Sequence, residues 1–239
     1  MSTLKVLKKK LDYNLISEAN HDKKLVTFLN PYSYLFFKEN INLFSKFDII
    51  YIDGVLLVYL LKTIAPKTFR CSFDMTSLAP HVFKNSINHN KNIYFIGAKE
   101  IEISNFVLNI KSKYPNLNIL GYRNGYFESR EEFNETAKYI SDLNPDIVIV
   151  GMGTPQQEKF LLKLRHFAWN GTGYTCGGFF HQTSQKIDYY PIIFDKLNLR
   201  WLYRIIDEPK LFKRYFFYYP KSILIYIFDL SKYLMSNKT

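Results

Sequence analysis

The run Asn144-Pro145-Asp146-Ile147-Val148-Ile149-Val150-Gly151-Met152-Gly153-Thr154-Pro155-Gln156-Gln157-Glu158 sets the fold class. Asn-Pro-Asp turns the chain, and four consecutive β-branched residues then read as a strand buried on both faces, the kind found inside a parallel sheet. Two glycines follow. Pro155 stands where a helix start tolerates it, because its missing N–H is one of those the first turn leaves unpaired. Strand, glycine loop and helix in that order are half of a β-α-β unit. On either side, short apolar runs at 25–29, 48–52, 92–96, 118–120 and 173–176 join the one at 146–150 as expected strands. Helix-length segments alternate with them. Residues 100–114 space Ile103, Phe106, Val107 and Ile110 on one helical face before Pro115, and Ser129-Arg130-Glu131-Glu132 has the form of a capping box opening a helix that runs to about Asp142. The expected fold is α/β, a single domain with a mostly parallel sheet, in which 93–96 and 147–150 are central strands.

Composition narrows the function classes. The 239 residues carry 32 Lys and Arg against 21 Asp and Glu, a formal charge of +11, and 18% are aromatic. That combination suits an anionic partner, either nucleic acid or a membrane interface. Cys71 and Cys176 lack any Cys-x-x-Cys context, which excludes a disulfide scaffold or a cysteine zinc site and fits reduced thiols in a cytoplasmic protein. The first twenty residues contain no apolar core of a signal peptide, and no apolar run approaches the roughly 18 residues of a membrane span, so neither is expected. Residues 198–239 hold +5 of the charge and eleven aromatics. They read as a helical appendage to a domain of residues 1–197, either lying on a membrane or docking on the sheet. A non-catalytic nucleic-acid-binding protein is the rival class, but no recognition motif is present and the basic residues gather at the C-terminus.

Four segments follow strand ends, where α/β proteins place their sites. Asn30, before Pro31, can donate and accept, although Asn-Pro also opens turns. Asp53, before Gly54, is a strand-end carboxylate able to serve as a general base, although Asp-Gly is also a turn dipeptide. Gly97-Ala98-Lys99 offers small residues at a helix start, a phosphate cradle in outline. The fourth is the quoted loop: Gly151 and Gly153 let a ligand approach the backbone, and Gln157 and Glu158 in the first turn can read hydroxyl or amide groups. A metal is not expected, since no Asp-x-Asp occurs and the five histidines show no ligand spacing. His181, beside Gly177-Gly178-Phe179-Phe180, could line a site, but a lone histidine is more often structural.

In order, these segments resemble the WecG/TagA/CpsF family of bacterial glycosyltransferases from about Leu25 to Tyr215. The resemblance is carried by Asn30, Asp53-Gly54, Arg70 with Asp74, Gly97, Tyr114-Pro115, Gly121 with Gly125-Tyr126-Phe127, and Asn144-Pro145-Asp146. It continues through Gly151-x-Gly-x-Pro-x-Gln-Glu158, Cys176-Gly-Gly-Phe-Phe180, Trp201-Leu-Tyr-Arg204, Glu208-Pro209 and Arg214-Tyr215. It implies a Rossmann-like domain with a basic C-terminal appendage that associates with the membrane. The implied activity is inverting transfer of an N-acetylmannosamine-type or N-acetylmannosaminuronic acid sugar from a UDP-sugar donor to a polyprenyl-diphosphate-linked acceptor. Such an enzyme works without cofactor or metal on the inner face of the cytoplasmic membrane, in surface-polysaccharide synthesis. By the same resemblance Asp53 is the base, Asn30 and Gln157 position sugar groups, Arg70 supports the site, and Arg204 and Arg214 approach the diphosphate. An anionic membrane surface is then the expected partner, nucleic acid is not, and a homo-oligomer is compatible. A catalytically dead scaffold of the same family is the remaining alternative. The chain departs from the family pattern at Phe28, at Phe180-His181, at Tyr189-Tyr190-Pro191, at Leu199-Arg200-Trp201 and at Leu211.

Overall fold

The computed structural model describes residues 3–14, 21–191, 193–194, 197 and 199–236. Six strands, β1 (Leu25–Leu29), β2 (Ile49–Ile52), β3 (Asn92–Gly97), β4 (Asn118–Arg123), β5 (Ile147–Gly151) and β6 (Thr172–Thr175), form one sheet. Their order is β2-β1-β6-β5-β3-β4 and every pair is parallel. All six expected strands are present. The all-apolar ones, β3 and β5, lie inside the sheet as their composition requires, since only an interior strand is covered on both faces.

Helices cover both faces, and the period-two alternation of each strand assigns its side chains. One face carries Phe28, Tyr51, Phe95, Ile149 and Tyr174 under α5 (Leu78–Asn88), α6 (Glu100–Lys113) and α9 (Phe179–Gln185). The other face holds two cores. Leu29, Ile50 and Ile52 pack with α1 (Thr3–Lys10), α2 (Pro31–Glu39), α3 (Ile41–Phe44) and α4 (Val55–Leu61). Ile96, Val148 and Val150 pack with α7 (Arg130–Leu143) and α8 (Gln156–His166).

Two local expectations shift. Strand β4 runs past Gly121 to Arg123 rather than stopping at residue 120, pairing with Tyr94, Phe95 and Ile96 of β3; Gly121 leaves room for the Tyr94 ring, which lies where its Cβ would stand. As an edge strand its burial alternates. At the start of α7, Ser129 Oγ accepts from the Glu132 N–H at 3.1 Å, so Ser129 is the cap. The Glu132 carboxylate, however, reaches the Glu128 N–H at 2.6 Å and the Arg123 guanidinium instead of closing the box on Ser129.

Beyond the sheet come α10 (Arg200–Asp207), a 3-10 turn (Pro209–Leu211), a π-helical turn (Arg214–Tyr218) and α11 (Tyr219–Met235). The expected boundary at residue 198 lies outside the described residues. Helix α11 docks on the body through Ser222, Tyr226, Asp229 and Tyr233, one stripe at spacings of four, three and four. Asp229 receives the Tyr34 hydroxyl at 2.8 Å and the Lys38 ammonium at 2.7 Å. Its opposite face leaves Leu224, Ile227 and Phe228 exposed. Among the described residues no helix is long and apolar enough to cross a membrane.

Candidate active site

Parallel pairing puts the carboxyl ends of all six strands on one side of the sheet, and a cleft of about 1060 Å³ opens there. It is bounded by the ends of β1, β2, β5 and β6 and roofed by α10, the π turn and the start of α11. Asn30, Asp53, Arg70, Gly153, Gln157, Arg204 and Arg214 line it together. Residues scattered over most of the chain are thereby collected in one site.

Asp53 leaves β2 with its N–H on the Leu29 carbonyl at 2.7 Å. Arg70 is brought beside it by a parallel bridge between Ile52 and Arg70. From there the Arg70 guanidinium lies 3.4 Å from Asp53 Oδ1, 2.8 Å from Ser72 Oγ and 3.5 Å from Asp74 Oδ2. Asp74 also takes Ser72 Oγ at 2.7 Å and the Arg200 guanidinium at 3.2 Å. The two carboxylates consequently titrate in opposite directions. Burial raises the Asp53 pKa above the ordinary aspartate value, Arg70 opposes it, and nearby Asp74 pushes the same way as burial. Burial also acts on Asp74, but there Arg200, Arg70 and the Thr76 and Ser72 hydroxyls prevail and hold its carboxyl below the usual range. Asp53, with 39% of its side chain accessible and lining the cleft, is the carboxylate suited to take a proton.

Asn30 serves two ends. Its side-chain oxygen caps α2 by accepting from the Ser33 N–H at 3.0 Å, which leaves its amide nitrogen as the part not engaged in capping. Gly153 has φ +74° and a Cβ there would meet nothing within 4 Å, so the loop needs glycine for its backbone angle rather than for space. Gln157 accepts from the Gly177 N–H at 3.1 Å, tying the first turn of α8 to the loop after β6. Arg204 pairs with Glu208 at 3.0 Å, and the Arg214 guanidinium lies 4.5 Å from the Tyr32 ring centroid. The Nε atoms of both arginines are buried without a hydrogen-bond partner. Arg70, Arg200, Arg204, Lys210 and Arg214 outnumber Asp53 and Asp74 in the cleft lining, so its field favours an anion.

Three expected residues lie elsewhere. Gly97 and Gly151 do not line the cleft: they face each other across β3 and β5, where a Cβ on Gly97 would come within 2.3 Å of the Gly151 carbonyl oxygen. The helix start after Gly97 already has an anion of its own, since the Glu102 carboxylate accepts from the Lys99 N–H at 2.9 Å. Glu158 is fully buried behind the cleft. Ser72, Thr154, Tyr190 and Arg200 were not expected at the site. Arg200 showed in the sequence as charge in the appendage and as a departure from the family pattern, and nothing local says that it returns to Asp74. Among the described residues, His181, Asp207 and Glu208 bring three ligand-type atoms within 4.8 Å of one another. Glu208 already pairs with Arg204 and Lys210, and His181 Nδ1 lies 2.8 Å from Glu102, so that cluster is an ion-pair hub.

A model of the glycosyl transferase WecG/TagA/CpsF family matches residues 5–235. A relative from Shigella boydii, a UDP-Gal:alpha-D-GlcNAc-diphosphoundecaprenol beta-1,4-galactosyltransferase, is 39% identical over 223 residues, covering 93% of either chain. An N-acetylglucosaminyldiphosphoundecaprenol N-acetyl-beta-D-mannosaminyltransferase of Bacillus subtilis is 40% identical over 124 residues, 52% of this chain and 47% of its own. The enzyme of the same name from Bacillus spizizenii is 29% identical over 170 residues, 71% of this chain and 65% of its own.

Proposed function

The chain belongs to the WecG/TagA/CpsF family of glycosyltransferases, and from that premise we propose that it moves a hexose from a UDP-sugar to an N-acetylglucosamine carried on a polyprenyl diphosphate, with inversion at the anomeric carbon. Asp53 takes the proton of the acceptor hydroxyl. The acceptor oxygen bonds to the anomeric carbon as the bond from that carbon to the UDP oxygen breaks, and the electron pair leaves with UDP. Arg204 and Arg214 take up the charge on the departing diphosphate, a task suited to guanidinium forks and requiring no metal. The observation that carries this reading is Asp53, a strand-end carboxylate of raised pKa in a cleft whose other charged side chains are mostly cationic.

The donor is UDP-galactose on the strength of the Shigella relative, whose similarity covers 93% of the chain. The family resemblance implied an N-acetylmannosamine-type or N-acetylmannosaminuronic acid sugar, and the Bacillus subtilis relative, similar over about half of the chain, favours N-acetylmannosamine as a second reading. The acceptor's hydrocarbon suits the apolar part of the cleft lining, which includes Leu56, Tyr59, Phe216 and Ile223. The exposed apolar residues of α11 support the same reading, in which the protein works at the inner face of the cytoplasmic membrane against anionic lipid.

The test is transfer from UDP-galactose and UDP-N-acetylmannosamine to a GlcNAc-diphosphate-lipid acceptor. Asp53→Asn should lower turnover about a thousandfold with either active donor. Unchanged turnover in that variant removes Asp53 as the base, and no transfer from any UDP-sugar by the unmodified protein removes the reading itself.

A further inference from the structure

Glu158 is completely buried and does not line the cleft, whereas Gln157, one residue earlier on α8, does. Consecutive helical residues point about 100° apart, so the first turn of α8 sends one side chain to the site and the next beneath it. There Glu158 Oε1 collects three donors: Thr27 Oγ1 at 2.9 Å, Gln157 Nε2 at 3.1 Å and Thr154 Oγ1 at 3.3 Å. Thr175 Oγ1 donates in turn to Thr27 Oγ1 at 2.9 Å, so hydroxyls on β6 and β1 relay toward the carboxylate. Oε2 is buried with no hydrogen-bond partner. A carboxylate in that position costs stability, and packing alone would be served at least as well by glutamine.

We propose that Glu158 is a positioning residue that fixes which end of the Gln157 carboxamide meets the substrate. The inference rests on the cleft being the sugar-nucleotide site. An ionised carboxylate can only accept, so Gln157 must turn its NH2 group to it. The two amide hydrogens are then spent on Glu158 Oε1 and on Thr154 Oγ1, at 3.1 and 3.2 Å. The carbonyl is left toward Gly177 N–H and the cleft, with one of its two acceptor sites unused. Gln157 therefore meets a sugar as an acceptor and selects a hydroxyl or N–H donor at that position. Glutamine at residue 158 could present either an oxygen or an NH2 group, which would leave the Gly177 N–H alone to orient the amide.

Burial works against the charge and pushes the Glu158 carboxyl up to about 6, while the Gln157, Thr27 and Thr154 donors favour the ionised form; above that pH the group is the acceptor that the arrangement requires. The side chains bonded to it from β1, α8 and the Thr154 loop are all uncharged.

The experiment is a double-mutant cycle of Gln157→Ala and Glu158→Gln, followed by KM and kcat for UDP-galactose together with the melting temperature. Glu158→Gln should fold with an unchanged or higher melting temperature yet raise KM about ten- to a hundredfold, with kcat within about threefold. The double variant should lose no more than Gln157→Ala alone, because both act through one amide. Multiplicative losses, or wild-type KM in Glu158→Gln, overturn the assignment. Should the variants fail to fold, the Gly177 backbone amide of the wild-type protein, followed by NMR without ligand, is to titrate with a midpoint near 6, and a flat response overturns it. That readout needs no turnover, so a protein inactive with every UDP-sugar would refute the function while the Gly177 titration still judged Glu158.

Discussion

A carboxylate that must take a proton from a sugar hydroxyl works best when the protein disfavours its charge, and Asp53 meets that condition through burial. Arg70 opposes burial, which makes the pair adjustable. Replacing Arg70 with Ala removes the opposing cation and should move the acid limb of the pH–rate profile to higher pH. A limb that stays in place would mean that Asp53 is not the titrating group. Glu158 gives a second pH signature, in stability. Its folded pKa of about 6 lies above the ordinary 4.5, so the folded state holds the extra proton between those values and stability falls as pH rises through them. The full difference is about 2 kcal/mol. Glu158→Gln should gain on the wild type by about that much between roughly pH 4 and pH 7.5 in thermal melts, and an equal offset at both ends would contradict the raised pKa. At this scale Asp53, Asn30 and Gln157 were legible because each follows a strand end. The burial of Glu158 was not, since a first-turn residue in sequence carries no sign of which side of the helix the sheet takes.

At the scale of elements, the strands were readable because burial on both faces forces continuous apolar runs. Helix α11 was readable only as part of a basic, aromatic helical appendage that either lies on a membrane or docks on the sheet, and two faces of one helix answer two questions. Its inner stripe is pinned by Asp229, 6% exposed, between Tyr34 and Lys38. Asp229→Ala leaves the buried Tyr34 hydroxyl without its acceptor and should lower stability by about 2 kcal/mol in chemical denaturation. It should also speed proteolysis near the C-terminus, because α11 would open before the sheet. Denaturation unchanged from the wild type would show that apolar packing alone holds this helix.

For the whole molecule, the appendage is both roof and outer surface. Deleting it would remove Arg204 and Arg214 from the cleft along with the exposed apolar face, so truncation cannot separate membrane contact from catalysis. Replacing Phe217, Leu224 and Ile227 with Ser can, since all three are more than half exposed and none lines the cleft. The triple variant should lose at least about tenfold in binding to vesicles rich in anionic lipid, and keep transfer to a water-soluble acceptor within about twofold. Sedimentation with vesicles equal to that of the wild type would leave the outer face of α11 without a membrane role.

The α/β class, the six strands and the residues at their ends follow from composition and period, because local apolar pattern answers directly to burial. The basic, aromatic character of the C-terminus is equally plain in the chain. Proximity is not: the sheet order that sets β6 between β1 and β5, the bridge that brings Arg70 to Asp53 and the return of Arg200 to Asp74 arise from long-range packing. Local pattern records how each residue meets water, and only the folded chain records which distant residues meet one another.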